Sequence, residues 1–393
     1  MSKRIYLDYS ATTPMKKEVL DEMLPYFSDL FGNPSSIHAY GREAKKALDI
    51  ARERVAKAIG AKNDEVFFTG GGSEADNWAI KGIVYANRDK GNHIITTKIE
   101  HHAVLHTCEY LEKNGFEVTY LDVDKYGMIS VEELRNAITD KTILITLMFA
   151  NNEIGTIQPI KEIGEIAKEK KVYFHTDAVQ AFGNVKIDVN DLNIDLMSIS
   201  AHKIYGPKGV GALYVRKGVK IHSLVHGGAQ ERRRRAGTEN ITGIVGFGKA
   251  AALVSENLAD HIEHVKTLRD KLIHGIMENV DYVRLNGHPE HRLPGNANFA
   301  FEFIEGESLL LSLDMMGIAG SSGSACTSGS LDPSHVLMAI GLSHEIAHGS
   351  LRLTIGDPTT EEDIQYVIES IPKVVDRLRQ MSPLYEKVKG GQK

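Results

Sequence analysis

Cysteine is scarce in this chain, with two among 393 residues, Cys108 and Cys326. Two thiols cannot lace a disulfide framework, and a reducing compartment would keep both free for packing or chemistry. Long apolar runs are also missing. No stretch approaches the roughly 20 residues of a membrane-spanning helix, and the opening "MSKRIYLDYS" lacks the apolar centre of a secretory signal. An excess of positive charge is absent as well: 46 Lys and Arg stand against 52 Asp and Glu, a net charge of −6, which gives no global attraction for nucleic acid or acidic lipid. Internal repeats and low-complexity linkers do not occur. These absences point to a cytoplasmic protein with neither nucleic acid nor membrane as a partner.

What is present is ordinary globular material, 42% hydrophobic and 25% charged, in a chain longer than one core usually serves. In "REAKKALDIARERVAKAIGA", Ala44, Ala47, Leu48, Ala51, Val55, Ala58 and Ile59 recur near helical spacing before Gly60 stops the run. Short β-rich runs follow: "EVFFTGGG", "HIITTKIE", "EVTYLDV", "ILITLMF", "VYFHTDA", "DLMSISAHK" and "GALYVRKG", several separated by helical patterns such as "IKEIGEIAKEKK". Strands alternating with helices predict an α/β fold with a mostly parallel sheet, whose ligands sit beyond the carboxyl ends of the strands. A long helical pattern around "ALVSENLADHIEHVKTLRDKLIHGIMENV" then leads to "NANFAFEF", "LRLTIG" and a final helix, "EEDIQYVIESIPKVVDRLRQM". The expected division is a large α/β domain over 16–257 and a smaller α+β domain built from 1–15 and 258–393.

Several motifs carry chemistry at those strand ends. "FFTGGGSEADN" sets three glycines and Ser73 between a strand and a helix, the arrangement of a phosphate cup, although a tight strand-to-helix turn would use the same glycines. "SISAHKIYGPKG" places His202 and Lys203 after a β-rich run, where a desolvated amine forms Schiff bases. Asp177 ends the run "VYFHTDAVQ", 26 residues before Lys203, one helix-plus-strand crossover away. A carboxylate there can pair with the protonated ring nitrogen of pyridoxal phosphate. His101 in "TTKIEHHAVL" sits where an imidazole can stack on an aromatic cofactor and move protons, with His102 facing elsewhere. Arg352 in "SLRLTIGD" offers a guanidinium fork for a carboxylate, or a structural ion pair.

Other patterns read as decoys. "HEIAH" at 344–348 matches a zinc-protease motif, but Gly349 and the strand-like "LRLTIG" leave only one or two helical turns and no clear third ligand. "DVDKYGMISVEE" matches a calcium loop at Asp122, Asp124, Gly127 and Glu133, yet follows a strand where an entering helix is required, so an acidic strand-to-helix turn is expected. The four arginines 232–235 are too few and too little interleaved with aromatics for nucleic acid, and suit subunit or cofactor-phosphate contacts. Cys108 lies in a helical pattern and reads as packing, whereas Cys326 lies in "GSSGSACTSGS", where small residues offer nothing to pack around it.

In order, "YLDYSATTP", "GNPSSIH", "GSEADN", "IEHHAVL", "NNEIGTIQP", "HTDAVQ", "SAHKIYGPKGVGALYVR", "RAGTEN" and "SSGSACTSG" resemble the pyridoxal-phosphate cysteine desulfurases of the NifS and IscS type, from about residue 5 to 385. The resemblance implies the fold-type I aminotransferase architecture, a homodimer, pyridoxal 5'-phosphate as cofactor, and conversion of L-cysteine to L-alanine with the sulfur left as a persulfide. It makes Lys203 the Schiff-base lysine, Asp177 the partner of the ring nitrogen and Gln180 the donor to the phenolic oxygen. Gly72, Ser73, Ser200 and His202 become the phosphate cup, with Thr238 reaching in from the second subunit. His101 becomes the stacked ring and Cys326 the sulfur acceptor, while Asn152, beside the cofactor, and Arg352 hold the substrate carboxylate. A further implied partner is a sulfur-acceptor protein such as an iron–sulfur scaffold. The segment before Thr238 is richer in arginine than the family pattern, and the tail "SPLYEKVKGGQK" is expected to be shorter than the one on which some relatives dock a scaffold.

Overall fold

The computed structural model describes residues 4–322 and 333–390; Cys326, with the rest of 323–332, lies outside the described residues. After a two-residue strand β1 (Ile5–Tyr6), the seven β-rich runs become β2 (Val66–Thr69), β3 (His93–Thr97), β4 (Glu117–Leu121), β5 (Thr142–Thr146), β6 (Tyr173–Asp177), β7 (Leu196–Ser200) and β8 (Gly211–Val215). They form one sheet in the order β2-β8-β7-β6-β5-β3-β4. From β4 to β7 every pairing is parallel, while β8 runs antiparallel to both β7 and β2. The exception has a simple cause. Only residues 201–210 separate β7 from β8, too few for the helical crossover that a parallel return requires.

Both faces of this sheet are covered. The first three long helices, α1 (Ala39–Ala58), α2 (Gly72–Ala86) and α3 (His102–Glu112), divide between two apolar clusters. Ala44, Leu48, Ala51 and Val55 of α1 join one apolar cluster, whereas Trp78, Ile80 and Ile83 of α2 and Val104, Cys108 and Leu111 of α3 join another. A short helix α4 (Val131–Ala137) follows, then α5 (Ile160–Lys170) and α6 (Ile241–Glu256), which join the apolar cluster of α1, α6 packing directly on α1. Gly248 allows α6 to close on α1, because a Cβ there would fall 2.5 Å from the Cα of Ala51. Cys108 is a buried free thiol whose ionisation burial opposes strongly, which fits the packing role expected of it.

The expected long helix near residue 257 is two helices. α6 ends at Glu256 and α7 (Leu258–Asn279) begins after Asn257, whose φ of −110° and ψ of 13° leave the helical region and whose side-chain amide donates to the Leu253 carbonyl at 2.8 Å. Beyond it, β9 (Val283–Asn286), β10 (Asn296–Phe301) and β12 (Ser350–Thr354) make a second, antiparallel sheet, and β11 (Ile318–Ala319) pairs parallel with β1. Its apolar cluster includes Leu268 and Leu272 of α7, Phe299 and Phe301 of β10 and Ile364, Val367 and Ile371 of the last long helix, and it draws in Ile5 and Leu7 from the start of the chain. "HEIAH" forms a five-residue helix, His344–His348, that runs straight into β12. In "DVDKYGMISVEE", the Asp124 carboxylate accepts from the Tyr126 and Met128 N–H groups at 2.9 Å each, an Asx turn between β4 and α4.

Candidate functional site

The ends of β5, β6 and β7, the turn before α2 and the start of α3 converge on a cavity of about 280 Å³. Gly72, Ser73, His101, Asn152, Asp177, Gln180, Ser200, His202, Lys203 and Arg352 all line it. Ten positions spread over 281 residues of sequence therefore meet in one place, as the strand-end reasoning expects.

Lys203 closes a single 3-10 turn, Ala201–Lys203, directly after β7. Its Nζ donates to the Ala11 carbonyl at 2.8 Å and also to the Ser10 carbonyl. Gln180 donates to that same Ser10 oxygen at 2.9 Å, so the N-terminal segment is strapped across the mouth of the site. Asp177 is the last residue of β6 and is buried, its Oδ1 accepting from the Val179 N–H at 2.9 Å. Burial pushes its pKa up, while His101 and Lys203 pull against that. His101 caps α3: its Nδ1 accepts from the Ala103 N–H at 3.1 Å, so in the neutral ring the proton sits on Nε2.

Glycine is required at the turn between β2 and α2. Gly71 has φ of +150°, and a Cβ on Gly72 would fall 2.7 Å from a Val179 methyl. The backbone thus closely approaches the segment that follows β6 and opens the first turn of α2, whose N–H groups have no acceptor within the helix, toward a neighbouring cavity of about 450 Å³ that shares Gly72, Ser73, Ser200 and His202 with the first. His202 holds Thr12 Oγ1 at 3.2 Å and is driven down to about 4 by burial and by Lys203 and Lys208, so it is neutral at physiological pH.

Arg352, on β12, donates to the Asn152 carbonyl at 3.0 Å and to the Asp8 carboxylate at 2.9 Å, and its buried Nε has no hydrogen-bond partner among the described residues. Thr238 is exposed and lies away from this cavity within the single chain.

Three groups escaped the sequence reading. Asp8 faces Arg352, and only the motif "YLDYSATTP" hinted at it. Asp76, one turn into α2, lines the cavity fully buried, and burial together with Asp177 raises its pKa well above the carboxylate range. His175, two residues before Asp177 on β6, bonds Thr146 at 2.8 Å and Ser198 at 2.9 Å; burial takes it down to about 3 and keeps it neutral. Nothing in a lone Asp or His on an apolar strand or helix distinguishes these from satisfied core residues.

A lysine at a strand-to-turn junction, a buried carboxylate and a glycine-lined anion turn around one cavity define a pyridoxal-phosphate enzyme on an α/β scaffold. The chain belongs to the aminotransferase class-V family, which matches residues 5–367. It is similar to a protein named cysteine desulfurase IscS from Clostridium botulinum, 64% identical over 388 residues and covering 98% of both chains. Among solved structures, a NifS-like protein superposes with a TM-score of 0.90 at 39% identity over 96% of this chain and 100% of that one. A structure described as SspA in complex with cysteine matches with a TM-score of 0.80 at 40% identity, covering 90% of this chain and 99% of that one.

Proposed function

We propose that this enzyme is a cysteine desulfurase, taking sulfur from L-cysteine, releasing L-alanine and holding the sulfur as a persulfide on Cys326 for an acceptor protein in iron–sulfur-cluster or other thio-cofactor assembly. The observation that carries the reading is the convergence of Lys203, Asp177 and Arg352 on one cavity, a grouping suited to an amino acid held by its carboxylate beside an electron-accepting ring.

Pyridoxal 5'-phosphate suits the residues present. The incompletely compensated buried carboxylate of Asp177 calls for a protonated ring nitrogen, the Lys203 amine for an aldehyde carbon, and the glycine turn with Ser73, Ser200 and His202 for a phosphate. When bound, the cofactor supplies an electron sink for a carbanion at the substrate Cα. The remaining work belongs to the chain. Arg352, with Asn152 beside it, orients the substrate carboxylate. Lys203, poised against the Ser10 and Ala11 carbonyls, takes the Cα proton and returns it. The Nε2–H tautomer of His101 provides a proton within the same cavity. In the sulfur step the Cys326 thiolate attacks the substrate Sγ; an S–S bond forms, the Cβ–Sγ bond breaks, and its electron pair stays with the carbon skeleton that leaves as alanine.

The same reading includes a cytoplasmic homodimer in which Thr238, exposed on its own chain, completes the partner's phosphate site, and a division into units 16–257 and 1–15 with 258–393, each with an apolar cluster largely its own, while a further cluster joins Ile99, Met148 and Ile154 of the first to Ala300, Val336 and Leu337 of the second. It is tested by incubating the protein with L-cysteine without reductant and measuring intact and peptide mass. A gain of about 32 Da on the peptide holding Cys326, lost in Cys326→Ala, is the expected result. Full alanine production by Cys326→Ala would overturn it.

A further inference from the structure

The arginine run 232–235 is used unevenly. Glu231, just before it, is buried and takes both Nη atoms of Arg52 at 2.7 Å together with the Phe68 N–H at 3.0 Å. From this anchor three successive non-glycine residues, Glu231, Arg232 and Arg233, adopt left-handed φ values of +43°, +56° and +66°. This turn lays Arg234 over the Phe67 ring at 4.9 Å and delivers Arg235 to Glu74.

Glu74 occupies an awkward place for a carboxylate. It sits in the first turn of α2, next to Ser73, lines the 450 Å³ cavity of the glycine turn, and curls back so that its Oε2 accepts from the Gly70 N–H at 2.9 Å. An anion entering that cup meets a like charge at short range, in partly desolvated surroundings where such repulsion is strong. Arg235 answers both carboxylate oxygens, with Nε to Oε1 at 2.6 Å and Nη2 to Oε2 at 3.1 Å, the fork geometry of a paired guanidinium and carboxylate. With both side chains about a quarter exposed, the pair adds little to global stability. Its effect falls on the local field.

We propose that Arg235 is a positioning residue for the cofactor phosphate: by neutralising Glu74 it lets the glycine turn Gly70–Ser73 accept a phosphate dianion. This rests on the reading that pyridoxal 5'-phosphate places its phosphate at that turn, and it gives the otherwise unexplained arginine run a role distinct from the Thr238 contact three residues further on.

The test is a set of equilibrium dissociation constants for pyridoxal 5'-phosphate, followed by absorbance on the full chain, with phosphate-free pyridoxal as a second probe. Arg235→Gln, which exposes the Glu74 charge, raises the constant for pyridoxal 5'-phosphate by about tenfold or more while leaving that for pyridoxal within about twofold. Arg235→Lys, which keeps the charge, stays close to wild type. The double variant Glu74→Gln with Arg235→Gln returns to within about threefold of wild type, since the repulsive charge is gone. Equal weakening toward both probes, or a double variant as weak as Arg235→Gln, would mean a structural role and overturn the proposal, as would an Arg235→Gln protein that binds normally. A wild-type protein that takes up pyridoxal 5'-phosphate not at all would instead overturn the functional reading beneath it.

Discussion

Arg352 and Asp8 lie 2.9 Å apart, joining the second sheet to the N-terminal strap at the wall of the cavity. The guanidinium is almost wholly buried, one Nη on Asp8 and the other on the Asn152 carbonyl, so its fork is fixed in direction before substrate arrives. Pre-orientation of this kind lowers the entropic cost of gripping a carboxylate.

Arg352→Lys keeps the charge but loses the fork. The expected outcome is a KM for L-cysteine raised roughly tenfold to a hundredfold with the cofactor absorbance unchanged. Steady-state kinetics beside an absorbance spectrum check it; an unchanged KM would remove Arg352 from substrate binding.

Lys203→Ala removes the amine held between the Ser10 and Ala11 carbonyls. Borohydride treatment of the wild-type protein with pyridoxal 5'-phosphate should fix the cofactor's mass on the peptide containing Lys203, and the variant should gain none. Alanine formation should fall by about a thousandfold or more. Peptide mass spectrometry decides the first point and a coupled alanine assay the second.

Glu100 supplies a pH prediction. Its Oε1 accepts from the Thr97 hydroxyl at 2.6 Å and the Met148 N–H at 3.0 Å, its buried Oε2 has no partner among the described residues, and burial raises its pKa from 4.5 to about 8. Between those two values the folded state binds the proton that the unfolded chain releases. Its contribution to stability is therefore full below pH 4.5 and is lost as the pH rises through about 8. Glu100→Gln preserves the acceptor and cannot ionise. Urea midpoints measured from pH 6 to 9 should decline for the wild type and decline less for the variant; parallel curves would refute the assignment.

Glu231→Ala leaves Arg52 buried and uncompensated while the three left-handed residues lose their anchor. Destabilisation of about 3–5 kcal/mol is expected, read by chemical denaturation. A loss below about 1 kcal/mol, the range of an exposed pair, would show that the pair carries no structural weight.

The legibility of the molecule varied by element. All seven strands of the main sheet follow from short β-rich runs: six are buried along nearly their whole length, while the partly buried edge strand β4 shows through its β-branched and aromatic residues Val118, Thr119 and Tyr120. β9 left no such trace, since three of its four positions are only partly buried, and the two-residue strands β1 and β11 are too short to carry a period. The break at Asn257 was invisible because apolar spacing continues across it on both sides. In the site, residues on turns announced themselves: Gly72, Ser73, His202 and Lys203 have types that a turn alone does not demand together. Asp8, Asp76 and His175 did not, because their significance is a neighbour distant in sequence.

The sequence by itself determined the alternation of strands and helices, the chemistry available at the strand ends and, through its ordered motifs, the family. Local propensity and side-chain chemistry are properties of short segments, and a sequence states them directly. Only the tertiary structure decided which charges face each other: that Arg352 meets Asp8, that Glu231 meets Arg52, and that of four adjacent arginines it is Arg235 that reaches Glu74. Coulomb energy depends on distance and burial, and both are set by how the sheet and its connecting turns pack.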